Sequence, residues 1–365
     1  MGSDRTLDQI ISESIQNALA QQGHVNILVA GGSGVGKSTL INAVFQGELA
    51  ETGSGRPVTK STREITKEGI PLTLFDSRGL EAAKFDETLG ELDILIKERN
   101  GERDAKRHIH VAWVCLLEGK RRVEESDSAL VKLLSDRGIP VIGIITQSQQ
   151  DNGFRQKVLE LMPEVRNVVR VRAIQSVIDD GETVLKPFGL EKLIEVTSEV
   201  VPEAVRQALA AAQKVSVEVK KNQAQKIVVG AVTAAAAAGA SPIPFSDAAL
   251  LVPIQVGMFA GISSVFGMDV TKSTLATLTT TLLGSSGATL AGKAIVSNLF
   301  KLVPGIGSVA GAAISGSTAA ALTLALGEAY IATLAELAKE DPDGTPEFSQ
   351  VSERFKSKLG QSKEG

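Results

Sequence analysis

Few folds have room for the stretch Gly-Gly-Ser-Gly-Val-Gly-Lys-Ser-Thr at positions 31–39, set between the apolar run VNILVA and the helical pattern TLINAVF. A strand that ends in a glycine-rich loop and continues as a helix is the P-loop arrangement, which belongs in an α/β sheet. Glycines are needed because consecutive backbone N–H groups wrap a phosphate, and side chains would block both the conformation and the approach. The helix N-terminus adds its partial positive charge. The expected cradle runs through Gly31, Ser33, Gly34, Val35 and Gly36 to Thr39, with Lys37 bridging the β- and γ-phosphates and the Ser38 hydroxyl ligating Mg²⁺.

Further short β-rich runs follow: IPLTLFD, HIHVAWVCLL, PVIGIIT and NVVRVRA, separated by polar helical stretches. Apolar strands alternating with helices imply right-handed crossovers and a mostly parallel sheet with helices on both faces. The predicted fold class is therefore an α/β P-loop domain over 23–200, joined to an all-α, Ala- and Gly-rich helical domain over 201–365. Ahead of them, Leu7, Ile11, Ile15, Ala18 and Leu19 recur at helical spacing, so 1–22 reads as an amphipathic helix.

Two more stretches carry chemistry. Asp76-Ser-Arg-Gly79 ends the strand run PLTLF, where the carboxylate can hold Mg²⁺ and the Gly79 N–H can face the γ-phosphate. An Asp-x-x-Gly alone is usually a turn, and its position after a P-loop is what gives it meaning. Between the two motifs, GSGRPVTKSTREI is expected as the mobile loop whose threonine reaches Mg²⁺ and the γ-phosphate. Thr59 is the first choice and Thr62 its rival.

Composition removes other classes. A net charge of −4, with no dense basic run interleaved with aromatics, gives no reason to expect nucleic acid as a partner. The single cysteine, Cys115, cannot form an internal disulfide and reads as a buried thiol in a reducing compartment. The beginning of the chain lacks the apolar core of a secretory signal, so a cytoplasmic location is expected. His24, His108 and His110 stand at strand edges without metal-ligand spacing and read as structural, and Trp113 reads as core.

The ordered set GGSGVGKST, DSRG and the strands between them resembles the translation-factor-related class of P-loop GTPases, close to the Era-like group. Its P-loop is more similar to those of septins and of chloroplast-import or immunity-associated GTPases than to the Asn-containing loops of Era itself. The stretches FGLEKLIEVTSEVVPEAVRQALAAAQ and GASPIPFSDAALLVPIQVGMFAGISSVFG resemble a bacterial domain of unknown function that follows such domains. Together these resemblances run from His24 to about Gly327. They imply GTP or GDP as the bound nucleotide, GTP hydrolysis, and nucleotide-dependent self-association as a dimer. By similarity to the immunity-related GTPases, they also imply that the first helix packs with the C-terminal half.

This chain departs from the family pattern twice. The base-reading motif should end in Asp, but the stretch is Thr146-Gln147-Ser148-Gln149, with Asp151 two residues on. Arg172 and Ala173 are the candidates for a backbone contact to the base. Leu80 follows Gly79 where Ras-like enzymes carry a water-orienting glutamine, so slow intrinsic turnover is expected unless a partner or second copy supplies a group. Arg56, Arg63 and Arg78 are candidates that the sequence does not rank.

Between Ile227 and Gly327 the charged side chains are Asp247, Asp269, Lys272, Lys293 and Lys301. The uncharged stretches 227–246, 248–268, 273–292 and 302–327 are each about the 20 residues a membrane span needs. Their richness in Ala, Gly, Ser and Thr, and the prolines at 242, 244, 253 and 304, suit tight helix packing as well as lipid. Two expectations follow: a nucleotide switch on the cytoplasmic face of a membrane, touching lipid, or a soluble nucleotide-stabilised scaffold whose bundle binds a protein.

Overall fold

The computed structural model describes residues 6–47, 49, 54–57, 59, 62–77, 85–178, 183–239, 247–269, 271, 273, 275–276 and 318–360. Arg78, Gly79 and Leu80 lie outside them, as does the block 277–317. The chain divides into two units, Gly23–Val219 and the combination of Met1–Gln22 with Lys220–Gly365.

Unit Gly23–Val219 is built on a seven-stranded sheet in the order β2-β3-β4-β1-β5-β6-β7. Its strands are β1 (Val25–Ala30), β2 (Ser54–Pro57), β3 (Thr62–Thr66), β4 (Leu72–Ser77), β5 (Val111–Leu117), β6 (Val141–Thr146) and β7 (Asn167–Arg170). The pairs β4-β1, β1-β5, β5-β6 and β6-β7 are parallel, and every residue of β1, β4 and β6 is buried. Near-continuous apolar runs are what parallel strands covered on both faces require. The edge differs from expectation. The stretch read as one loop forms β2 and β3, an antiparallel hairpin that also pairs antiparallel with β4. In β3, Thr-Arg-Glu-Ile-Thr, Ile65 is the single apolar residue, so the sequence carries no polar–apolar alternation that would announce a strand.

Helices α2 (Lys37–Val44), α3 (Phe85–Asn100), α4 (Glu125–Asp136), α5 (Phe154–Leu161), α6 (Leu190–Val200) and α7 (Glu203–Ala212) cover the sheet. In α4, Leu130, Val131 and Leu134 are buried, one stripe of the helix, and the Glu124 N–H donates to Asp127 Oδ2 at 3.0 Å to close its first turn. Trp113 is fully buried, stacks on Phe45 with centroids 5.5 Å apart, and donates Nε1–H to Thr197 Oγ1 at 3.1 Å. By contacts, the first unit runs past residue 200 to Val219. Helix α7 packs against β1 and β4, and the strand-like pair Phe45 and Gln213 ties its end to α2 through Gln46 N–H to Ala212 O and Lys214 N–H to Val44 O. A small two-stranded sheet, β8 (Ser176–Ile178) with β9 (Thr183–Leu185), follows β7.

The other unit contains α1 (Leu7–Gln22), most of α8 (Val217–Gly239), α9 (Asp247–Val265), α10 (Thr318–Glu340) and α11 (Phe348–Gly360). Helix α1 lies against α9, burying Ile11, Ser14 and Ala18, and Gln22 donates to the Ser264 carbonyl at 3.2 Å. Leu19, placed on the apolar face by its spacing, is 54% exposed. Phe259, Tyr330 and Phe355 meet edge to face at centroid distances of 4.9, 5.4 and 6.0 Å, fastening α9, α10 and α11 together. Pro253, read as an interruption, lies inside α9.

His110 shows how polar groups are accommodated beneath the sheet. Its Nδ1 accepts the Asn26 N–H at 2.9 Å, which leaves Nε2 as the protonated nitrogen facing the Ala105 carbonyl at 3.0 Å. A second proton at Nδ1 would oppose that N–H, and burial holds the ring below the usual histidine pKa. With the folded value below the unfolded one, the unfolded chain binds more protons as pH falls through the histidine range. Stability from this group is present above the unfolded pKa and is lost on acidification. Urea unfolding at about pH 7.5 and pH 5.5 should show less stability at the lower pH, and His110→Gln should narrow that gap. An unchanged gap would contradict the assignment.

Candidate nucleotide-binding site

Strand order reverses at β1, with β4 on one side and β5 on the other, so a crevice opens at the carboxyl ends of the parallel strands. The loop after β1 enters that crevice. Gly31 has φ 142°, and a Cβ there would lie 2.5 Å from the Cys115 carbonyl oxygen of β5. Gly34 and Gly36 have φ 72° and 92°, the left-handed region. Among the described residues no side chain caps the first turn of α2, which leaves its N–H groups unmatched within the helix.

Ser33, Gly34, Gly36, Lys37, Ser38, Thr39, Asp76 and Gln147 line a cleft of 560 Å³. Lys37 donates Nζ–H to the carbonyls of Gly31 at 2.9 Å and Gly32 at 3.1 Å, which sets its ammonium across the mouth of the loop. Asp76 is 7% exposed and sits beside Val29 in the β1-β4 register. Cys115 lies behind the loop, its thiol pushed up to about 12 by burial, so it is chemically quiet. Val35 is buried and contributes backbone only: its carbonyl faces Thr146 Oγ1 at 2.6 Å.

The residues fit Mg²⁺. Ser38 and Asp76 bring hard oxygen donors to the same cleft. Among the described residues no group of three or more His, Cys, Asp or Glu is placed to hold a metal. A sparse protein donor set completed by phosphates and water is the usual provision for Mg²⁺.

The threonines sit elsewhere. Thr59 occupies the turn between β2 and β3, where its Oγ1 accepts the Thr62 N–H at 2.9 Å, and it does not line the cleft. Thr62 is buried across from Ser77, and neither hydroxyl has a hydrogen-bond partner among the described residues. The β3-β4 register sets Arg63 directly across from Asp76, on the same face of the sheet. Gly79 falls outside the described residues.

A second recess, of 340 Å³, adjoins the first through Gly36, Thr39 and Gln147. Leu40, Thr146, Gln149, Arg172, Ala173, Ile174 and Ser176 also line it. Thr146 is buried, its hydroxyl 2.6 Å from Val35 O and 3.1 Å from Leu116 O, so it ties the P-loop to the sheet. Gln147 has φ 53°, a left-handed conformation carried by a side chain. Asp151 does not line the recess: it accepts the Gly153 N–H and is half exposed, 3.8 Å from Arg170.

Sequence reading missed the supports. Glu118 accepts from Arg170 Nη2 at 2.9 Å through one oxygen and from the Gln149 N–H at 2.5 Å through the other. Arg172, 8% exposed, donates to Ser148 O from Nε at 2.9 Å and Nη2 at 2.6 Å. The available signal was the pattern Val-Val-Arg-Val-Arg: two arginines closing a buried strand must find acceptors, because an unmatched buried cation is too costly to keep.

Residues 26–147 match the 50S ribosome-binding GTPase family. This stretch has the fold of a P-loop GTPase domain. Residues 204–361 match a domain of unknown function (DUF697). The GTPase domain is similar to the tRNA modification GTPase MnmE of Acidovorax sp. (strain JS42), 28% identical over 151 residues, covering 38% of this chain and 30% of that protein. The same enzyme of Methylibium petroleiphilum is 34% identical over 113 residues, 28% of this chain and 23% of that protein. The chain thus spans less than a third of the length of these relatives. Among solved structures, Toc33 from Arabidopsis thaliana in complex with Mg²⁺ and GMPPNP aligns with a TM-score of 0.33 at 17% identity, over 55% of this chain and 92% of that one.

Two glycines of the GTPase domain separate conformation from space. A Cβ at Gly34 meets nothing within 4 Å, whereas one at Gly31 collides with backbone. Gly34→Ala should cost about 1–2 kcal/mol, the left-handed strain alone. Gly31→Ala adds displacement of the loop from β5, and should lower the thermal midpoint further and abolish nucleotide binding. Equal melting of the two variants would remove the close-approach argument.

Proposed function

We propose that this protein binds GTP and hydrolyses it to GDP and phosphate with Mg²⁺, using the difference between the two states as a switch. One observation carries the reading. A cleft holding P-loop amides, Lys37, Ser38 and Asp76 is continuous with a second recess bounded by Ala173, the proportions of a triphosphate joined to a base. Mg²⁺, when bound, neutralises phosphate charge from Ser38 and Asp76. Lys37 supplies a further positive charge where charge develops on the phosphates.

Guanine as the base is supported by the family match over 26–147 and not by a carboxylate, since Gln149 stands where the motif would place one. Thr59 is the switching hydroxyl in this reading. Its hydroxyl accepts the Thr62 N–H across a hairpin turn, and exchanging that bond for the metal and γ-phosphate rebuilds the turn. Leu80 cannot orient water, so turnover is slow alone and rises when copies associate. Arg63, across from Asp76 in the β3-β4 register, is an arginine among the described residues that could assist.

The helical unit is assigned to a membrane surface on the strength of the low-charge block 227–327. A specific observation favours a second reading, a bundle that binds protein. Among the described residues one helix is long and apolar enough to cross a membrane, Ala319–Glu340, and 72% of its apolar window is buried. Cosedimentation with liposomes under GTP analogues separates the two, and equal pelleting with and without lipid would end the membrane assignment.

Calorimetry should give micromolar affinity for GTP or GDP, weaker binding of ATP, and at least about 100-fold loss in Lys37→Ala. Equal affinity of Lys37→Ala and wild type would sink the phosphate site.

A further inference from the structure

Resting on the reading that this cleft takes a guanine nucleotide, we infer that Arg172 is a positioning residue for the base-binding turn 147–149, and that its guanidinium sets the shape of the base recess. The turn needs an external support. Gln147 is held at φ 53°, a region that side chains keep only where surroundings impose it. Before it, Thr146 is fixed to Val35 O and Leu116 O. After it, Ser148 is fully buried, its N–H donating to Val171 O and its hydroxyl to Ile145 O, both at 3.0 Å.

What remains is the Ser148 carbonyl, and the guanidinium grips it with two N–H groups while reaching Gln149 O at 3.4 Å. Three constraints fix the arginine itself. Its backbone exchanges hydrogen bonds with Phe188 at 3.0 and 3.1 Å, its Nη1 donates to Lys186 O at 2.7 Å, and its guanidinium lies 4.9 Å from the Phe188 ring centroid. Glu118 completes the arrangement by accepting the Gln149 N–H. Arg172 and Ala173 also line the recess, so one residue joins its wall to the turn that bounds it. Lysine cannot reproduce this, because one ammonium lacks the planar fork that meets neighbouring acceptors.

The phosphate cleft shares Gln147 with the recess but is otherwise built from the P-loop, Lys37 and Asp76. Disturbing Arg172 therefore weakens recognition of the base and leaves recognition of phosphates. Full-length wild type, Arg172→Lys and Phe188→Leu are titrated by calorimetry with GDP and with inorganic tripolyphosphate, each with Mg²⁺, alongside thermal midpoints. Arg172→Lys should bind GDP at least about tenfold more weakly and tripolyphosphate within about twofold of wild type. Phe188→Leu, which loosens the guanidinium without removing it, should show the same split at smaller amplitude.

Unchanged GDP affinity in a folded variant, or parallel loss of both ligands, would overturn the role of Arg172. Should Arg172→Lys fail to fold, the Phe188→Leu ratio decides. Wild type that binds neither ligand would overturn the nucleotide reading itself, an outcome distinct from wild-type binding with no split in the variants.

Discussion

Gly31 has no room for a side chain because the Cys115 carbonyl of β5 stands where a Cβ would go, and the site's phosphate half follows from that contact. The loop can hug the sheet only as glycine, and hugging the sheet brings the Val35 carbonyl within reach of the Thr146 hydroxyl at the end of β6. Strand β5 lies between β1 and β6, so loop, β5 and β6 are locked as one piece before any ligand is considered. Lys37 then folds back onto the loop's own carbonyls, which fixes a flexible side chain and its charge at the mouth of the loop. Preorganisation of this kind is where electrostatic catalysis gains its advantage, because the donors need not reorganise as charge develops.

The base half is organised differently. Its order comes from buried ions, Glu118 with Arg170 and Arg172 with carbonyl oxygens, and removing one member of such a set leaves the other charge stranded. Glu118 and Arg170 side chains are 10% and 16% exposed, far from the regime in which surface pairs contribute almost nothing. The turn that would carry a base-reading carboxylate carries Gln149 instead, and the nearest carboxylate, Glu118, is committed to holding that turn in place.

Legibility in the sequence tracks whether the determinant is local. The five parallel strands were visible because burial on both faces demands unbroken apolar runs, and the P-loop because its glycines, lysine and serine are adjacent in the chain. The β2-β3 hairpin was read as a loop, since its partner strand β4 supplies what its own residues do not announce. Nothing in the sequence points to Glu118, and Arg172 reads only as a backbone contact to the base, for a similar reason: both side chains act on a turn some twenty to thirty residues away, and spacing says nothing about such contacts. Pro202 looks like a break in the sequence, whereas α7 beyond it returns to the sheet and its end is tied to the end of α2 by backbone hydrogen bonds.

In the helical unit, composition and packing pull against each other, and packing is the more informative. A low-charge, alanine-rich block satisfies the length test for membrane spans, but so does any core helix of a bundle. What separates the cases is where large side chains go. Helices in lipid associate through small residues and gain little from burying aromatics, since hydrocarbon solvates them as well as protein does. Here Phe259, Tyr330 and Phe355 converge from three helices, with the Tyr330 hydroxyl 2.7 Å from Ser263 Oγ. That arrangement is a packed aromatic core, in which the polar atom that accompanies the buried apolar area has found its partner.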